Sequence, residues 1–196
     1  MLDVKDLKLL NSKIINLKAA PGDVFLIKGP NGVGKSLFLK TLARLVPKIS
    51  GEINLGGLDS SQFAPDLWRS KLLYLPSDVS FTEGHSVDEY LSEPFLFERY
   101  KYFKPSFNPK EYISDLNSSM NLLSSGQRQR LSILRAMSLN AGILLLDESF
   151  SHIDPVLREE TFSLLNRWKD HQKIIFIVSH FDFQTSQFDT TSFALN

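Results

Sequence analysis

The chain has 196 residues, 22 Lys+Arg against 22 Asp+Glu, 42% hydrophobic residues and no cysteine. That length suits one domain with a sizeable core, and the missing cysteine excludes a disulfide framework, a cysteine-bearing zinc site and a cysteine nucleophile. Zero net charge removes the bulk electrostatic case for binding nucleic acid. The longest apolar runs, such as Ile174 to Val178, fall far short of the ~20 residues of a spanning helix. The opening Met1-Leu2-Asp3-Val4-Lys5-Asp6 lacks the apolar stretch of a signal peptide, so a cytoplasmic location is the expectation.

In chain order, short extended stretches are predicted at Val4 to Leu10, Lys13 to Lys18 and Asp23 to Lys28, the last closed by Gly29-Pro30-Asn31-Gly32. Leu37, Leu39, Leu42, Leu45 and Val46 then recur at helical spacing until Pro47. Gly51 to Leu55 and Leu72 to Leu75 read as strands, and Gly142 to Leu146 and Lys173 to Val178 as strands buried on both faces. Between the last two, Asp154 as N-cap and Pro155 at the first helical position open a helix carrying Leu157, Leu164, Leu165 and Trp168. Strands alternating with helices predict an α/β layer on a mainly parallel sheet. Residues 90–112 hold eight aromatics in 23 positions, interrupted by Pro94, Pro105 and Pro109. We read 78–122 as an inserted, mostly helical subdomain of a single domain spanning 1–196.

Gly29-Pro30-Asn31-Gly32-Val33-Gly34-Lys35-Ser36 fits G-x-x-x-x-G-K-[ST], between an apolar strand and a helix continued by Leu37. Glycines let backbone N–H groups turn inward around phosphate oxygens, and the helix N-terminus adds partial positive charge. Lys35 is then placed to reach the β- and γ-phosphates of a nucleotide, and Ser36 to coordinate Mg²⁺. Gly142 to Leu146 ends in Asp147-Glu148, a carboxylate delivered to the C-terminal edge of a parallel sheet. Asp147 is the second metal candidate and Glu148 the candidate to polarise water. An apolar run ending in Asp-Glu is weak evidence alone, and gains weight from the phosphate loop upstream.

Leu123-Ser124-Ser125-Gly126-Gln127-Arg128-Gln129-Arg130 resembles the L-S-G-G-Q signature of ATP-binding-cassette (ABC) ATPases. The helix from Leu131 to Met137 follows it, Ser151-His152-Ile153-Asp154 occupies the place of that family's D-loop, and His180 that of its switch histidine. The resemblance implies a P-loop fold with N-terminal antiparallel strands and an inserted helical subdomain. It implies an ATP-hydrolysing transporter subunit with Glu148, Lys35 and His180 in catalysis. Ser124, Ser125, Gly126 and Gln127 would complete the ATP pocket of a second subunit in a homodimer or heterodimer. Membrane-spanning subunits are the implied partners, at the cytoplasmic face of the inner or plasma membrane, and no nucleic acid is expected. The short length is similar to that of small ABC ATPases of the haem-exporter type.

The sequence departs from the family at three places. Ser77 stands where a glutamine normally contacts Mg²⁺ or water, and is a shorter metal candidate. Residues 1–24 contain no aromatic to stack on adenine, which leaves aliphatic contact from Leu9, Leu10 or Ile14. Ser125 and Ser149 replace a glycine and a proline. Read without the resemblance, Ser124 is a plain N-cap and Gly126 an exposed backbone N–H at a helix N-terminus, while Arg128, Arg130 and Arg135 form a solvated helix face. His85, His152 and His171 are surface or packing residues. Two other functions fit less of the pattern: a non-transport ABC ATPase acting on nucleic acid or the ribosome, and a weakly hydrolysing regulatory module.

Overall fold

A computed structural model describes residues 1–9, 14–93, 107–179 and 190–195. Its strands are β1 (Leu2–Lys8), β2 (Ile14–Ala19), β3 (Val24–Lys28), β4 (Ser50–Leu55), β5 (Leu58–Asp59), β6 (Leu72–Leu75), β7 (Ile143–Asp147), β8 (Ile174–Val178) and β9 (Thr190–Ala194). The helices are α1 (Lys35–Leu42), α2 (Pro65–Lys71), α3 (Val87–Ser92), α4 (Ser125–Ser138) and α5 (Pro155–Lys169). Strands β2-β1-β4-β5 form an antiparallel sheet, and β6-β7-β8-β3-β9 a parallel one. The α/β architecture expected from the sequence is therefore present, with its N-terminal antiparallel strands.

The parallel strands are apolar throughout because both faces of their sheet are covered. Alternation sorts each strand's side chains between two cores. Phe25, Ile27, Leu145, Phe176 and Val178 join Phe38, Leu39 and Leu42 of α1 and the buried face of the antiparallel sheet. Val24, Leu26, Leu144, Leu146, Ile175 and Ile177 join Ile133, Leu134 and Met137 of α4 and Phe162, Leu165 and Trp168 of α5. Phe25 and Phe176, paired in register across β3 and β8, stack with centroids 5.0 Å apart. The Asp154 side chain accepts from the Leu157 N–H and Pro155 opens α5, as the sequence predicts.

Within 78–122, the described residues hold α3 and two 3-10 turns, at Pro109–Tyr112 and Met120–Leu122. Val87, Tyr90, Leu91 and Met120 make a small core there with Leu131 of α4. Phe107 stacks on Tyr112 at 5.1 Å, and both pack against the α4/α5 core. Phe95, Phe97, Tyr100, Tyr102 and Phe103 lie outside the described residues.

The arginines of α4 depart from the expected solvated face. Arg130 donates to the Tyr112 carbonyl and pairs with Glu160 at 3.3 Å, its side chain only 15% exposed. Arg135 pairs with Glu93 at 3.1 Å and lies 4.3 Å from the Tyr90 ring centroid, while Arg128 donates to the Leu123 carbonyl. Helical periodicity marks a face as polar, yet what packs over α4 is set by chain distant in sequence. These guanidiniums therefore tie neighbouring residues to the helix: Arg130 holds Tyr112, Arg135 holds Glu93, and Arg128 lies 5.4 Å from the Phe81 ring centroid.

Trp68 of α2 is fully buried and its indole N–H donates to the Leu42 carbonyl at the end of α1 (2.8 Å). Replacing it by phenylalanine strands that carbonyl without a donor in the core. Trp68→Phe is expected to lower unfolding free energy by about 1–3 kcal/mol, read as a reduced midpoint in urea unfolding followed by circular dichroism.

Candidate functional site

The phosphate loop leaves β3 and turns into α1 at Gly34, whose φ of 106° lies in the left-handed region. Glycine adopts that conformation without a Cβ penalty, and having no side chain it leaves the first N–H groups of α1 uncapped. Pro30, Asn31 and Gly32 are exposed at the loop's tip, while Val33 and Leu37 pack against the core beneath. Lys35 is 7% exposed, and its ammonium donates to the carbonyls of Gly29 (2.8 Å) and Pro30 (3.1 Å). The lysine thus folds back along its own loop, beside the helix N-terminus.

Strand β7 brings Asp147 to the same place. Its carboxylate, 5% exposed at the end of an otherwise apolar strand, accepts from the Ser36 hydroxyl at Oδ1 (2.9 Å) and from the Tyr74 hydroxyl at Oδ2 (2.7 Å). Burial foremost, with the Asp147 carboxylate alongside, pushes the Tyr74 hydroxyl well above the ordinary tyrosine range. It therefore stays protonated and serves as a donor. Ser36 and Asp147, 111 residues apart in sequence, are joined in one cluster with Lys35 next to Ser36 in the chain.

Glu148 follows with φ 51°, a left-handed backbone rare for a side-chain-bearing residue. Its N–H donates to the Val178 carbonyl at the end of β8 (2.9 Å), and its carbonyl accepts from both the Ser151 N–H (3.1 Å) and the Ser151 hydroxyl (2.9 Å). The reversal directs the chain out of β7 at once. Ser149, in place of the family's proline, is buried and donates to the Leu75 carbonyl (3.3 Å), linking this turn to the end of β6.

At the start of α4, Ser124 and Gln127 form a reciprocal cap: the Ser124 hydroxyl accepts from the Gln127 N–H (3.2 Å), and the Gln127 side chain accepts from the Ser124 N–H (2.9 Å). Gly126 is buried rather than exposed, because the His152 carbonyl lies over it; a Cβ there would come within 2.2 Å of that oxygen. Gln129 completes the contact. Its carboxamide oxygen accepts from the His152 N–H (3.1 Å), while its nitrogen donates to the Ser77 carbonyl (2.9 Å) and lies 3.2 Å from His152 Nδ1. Ser77 is thereby tied to the signature helix through its backbone.

Of the adenine candidates, Leu9 is 2% exposed within the core and so unavailable to a ligand, Ile14 is exposed, and Leu10 lies outside the described residues. His180 also lies outside them. Tyr74 and Gln129 are the site residues missed by sequence reasoning. A phenol among leucines, on the strand beside the one ending in Asp147, is the signal that points to Tyr74.

Comparison with known proteins follows the same lines. The family model described as ABC transporter matches residues 12–151. Over 178 residues, 86% of this chain, the sequence is 30% identical to the multidrug resistance-like ATP-binding protein MdlA of Buchnera aphidicola, but spans only 31% of that protein's length. It is 30% identical over 191 residues to the manganese transport system ATP-binding protein MntB of Bacillus subtilis, covering 88% of this chain and 72% of that one. The structure superposes with a TM-score of 0.75 on the dimeric post-hydrolysis state of the ATP-binding cassette MJ0796 bound to ADP and Pi, at 22% identity, covering 92% of this chain and 88% of that one. A family match over most of the chain, on a fold that carries the phosphate loop, the Asp147 strand and the signature helix in their places, makes this chain a member of the ABC transporter family.

Proposed function

We propose that the chain is the ATP-binding and ATP-hydrolysing part of an ABC transport system, acting as a dimer that encloses nucleotide between the phosphate loop of one copy and the signature helix of another. The hydrogen bond between Ser36 and Asp147 carries this reading. It joins the loop that suits polyphosphate to the strand end that suits a cation, at the edge where ligands of α/β sheets bind. The dimeric cassette bound to ADP and Pi supports the assembly and the product. A membrane-spanning partner at the cytoplasmic face belongs to the same reading. Relatives named for manganese transport and for multidrug resistance act on unlike cargo, which assigns cargo choice to that partner.

The residues present fit Mg²⁺. Ser36 and Asp147 offer hydroxyl and carboxylate oxygens that already meet, and among the described residues no cluster of three or more His, Cys, Asp or Glu side chains forms a larger cage. Few protein oxygens, completed by phosphate and water, is the arrangement in which Mg²⁺ is held. When bound, the ion neutralises charge on the β- and γ-phosphates.

This chain's residues do the remaining work. Lys35 exchanges its two carbonyl partners for phosphate oxygens, a stronger charge-assisted bond, and the uncapped N–H groups of α1 add to it. Glu148, fixed by its backbone bonds to Val178 and Ser151, positions water for attack on the γ-phosphate. His180 is assigned the sensing of that phosphate. Ser77 is assigned to the cation's surroundings, and Ser124, Ser125, Gly126 and Gln127 to the nucleotide held by the partner copy.

Lys35→Ala is expected to weaken ATP binding by about ten- to a hundredfold, measured by calorimetric titration; unchanged affinity refutes the phosphate-loop assignment. Glu148→Gln is expected to keep ATP binding, reduce turnover by about two to four orders of magnitude, and shift the protein to a dimer in ATP on size-exclusion chromatography. Normal turnover in that variant removes Glu148 from the role of base.

A further inference from the structure

Asp147 is held by two donors of different origin. Ser36, on Oδ1, belongs to the phosphate loop; Tyr74, on Oδ2, belongs to β6 and to no motif with an assigned chemical role. The register explains the second contact. Tyr74 lies opposite Leu145 in the parallel pair, and Leu145 and Asp147, two residues apart, share a face. The tyrosine ring spans that step of about 6.6 Å, where a shorter side chain falls short. Lys40 of α1, with its ammonium 6.0 Å from the ring centroid, covers the ring from the helix side.

An aspartate bonded through one oxygen keeps a broad torsional well at its carboxylate. A second donor on the other oxygen fixes the carboxylate plane. Ser36, its proton committed to Oδ1, then has only lone pairs to offer, which is what a cation requires. Ser77, at the position of the family's metal-contacting glutamine, engages Gln129 through its carbonyl, so β6 reaches Asp147 through Tyr74.

We propose that Tyr74 is a positioning residue for the nucleotide's Mg²⁺, its hydroxyl locking Asp147 in the orientation in which Ser36 and Asp147 bind the ion together. The proposal rests on the nucleotide reading given above. It separates two properties that a packing role moves together: affinity for nucleotide with Mg²⁺ and affinity without it.

The test is calorimetric titration of the full chain with the non-hydrolysable analogue AMP-PNP, in MgCl₂ and in EDTA. Tyr74→Phe keeps the ring and removes the hydroxyl. It is expected to weaken binding about tenfold in MgCl₂ while leaving binding in EDTA within about twofold, and, because a buried carboxylate loses one of its donors, to lower the thermal midpoint of the nucleotide-free protein by several degrees. Tyr74→Met, which packs differently but also lacks the hydroxyl, is expected to show the same selective loss. In an Asp147→Ala background, Tyr74→Phe is expected to cause no further loss. An equal change in both media, no change in MgCl₂, or an independent loss in the Asp147→Ala background overturns the positioning role. An unsubstituted chain that binds AMP-PNP in neither medium overturns the nucleotide reading itself, and the proposal with it.

Discussion

A carboxylate buried at the end of a wholly apolar strand organises this molecule. Asp147 is 5% exposed, and a charge removed from water is tolerated only when donors surround it. Both donors come from other elements: Ser36 from the first turn of α1 and Tyr74 from β6. Each can reach Asp147 only if β6 pairs with β7 in the observed register and α1 packs across the same face. The Phe25, Phe38 and Phe176 core that seats α1 on the sheet is therefore also what delivers the phosphate loop to the carboxylate.

The other side of the site is held by backbone rather than charge. Glu148 reverses the chain, and the turn that follows places the His152 carbonyl directly on Gly126. No side chain fits at that point. Gln129 then bonds both His152 and Ser77, so the signature helix, the D-loop and the end of β6 meet in one hydrogen-bonded junction. A shift of α4 relative to either neighbour breaks one of these bonds.

Much of this was legible where a local rule decides the structure. The apolar runs of β7 and β8 declare strands covered on both faces, and Asp154-Pro155 declares a helix start; each is realised within a residue. What escaped lacks a local rule. Helix α2 is seven residues long and follows Ala64, which supplies no side-chain cap. Strand β9 reads Thr-Thr-Ser-Phe-Ala, an edge strand without an apolar run. Tyr74 and Gln129 have roles set by register and by contacts more than 20 residues away in sequence, and two arginines of α4 are engaged by Tyr112, Glu160 and Glu93, partners that no periodicity records. Of the site, the phosphate loop and Asp147 could be found from spacing; the orientation of Asp147 could not.

The way Lys35 is bonded shows how such a site can respond to its ligand. Its ammonium, nearly buried, donates to two neutral carbonyls of its own loop, while the one carboxylate shown at the cluster is engaged by hydroxyl donors. The ammonium and the carboxylate are thus each bonded to neutral groups. A polyphosphate offers the lysine a stronger acceptor than a carbonyl, and Asp147, oriented by both hydroxyls, keeps lone pairs for a cation. On the proposed reading these are interactions that only nucleotide with its cation supplies, which is the differential free energy a ligand-driven shift requires. The strand ends that carry the cluster are also tied to their surroundings: Ser77, beyond β6, accepts from Gln129 of α4, and Ser149, beyond β7, donates to the Leu75 carbonyl.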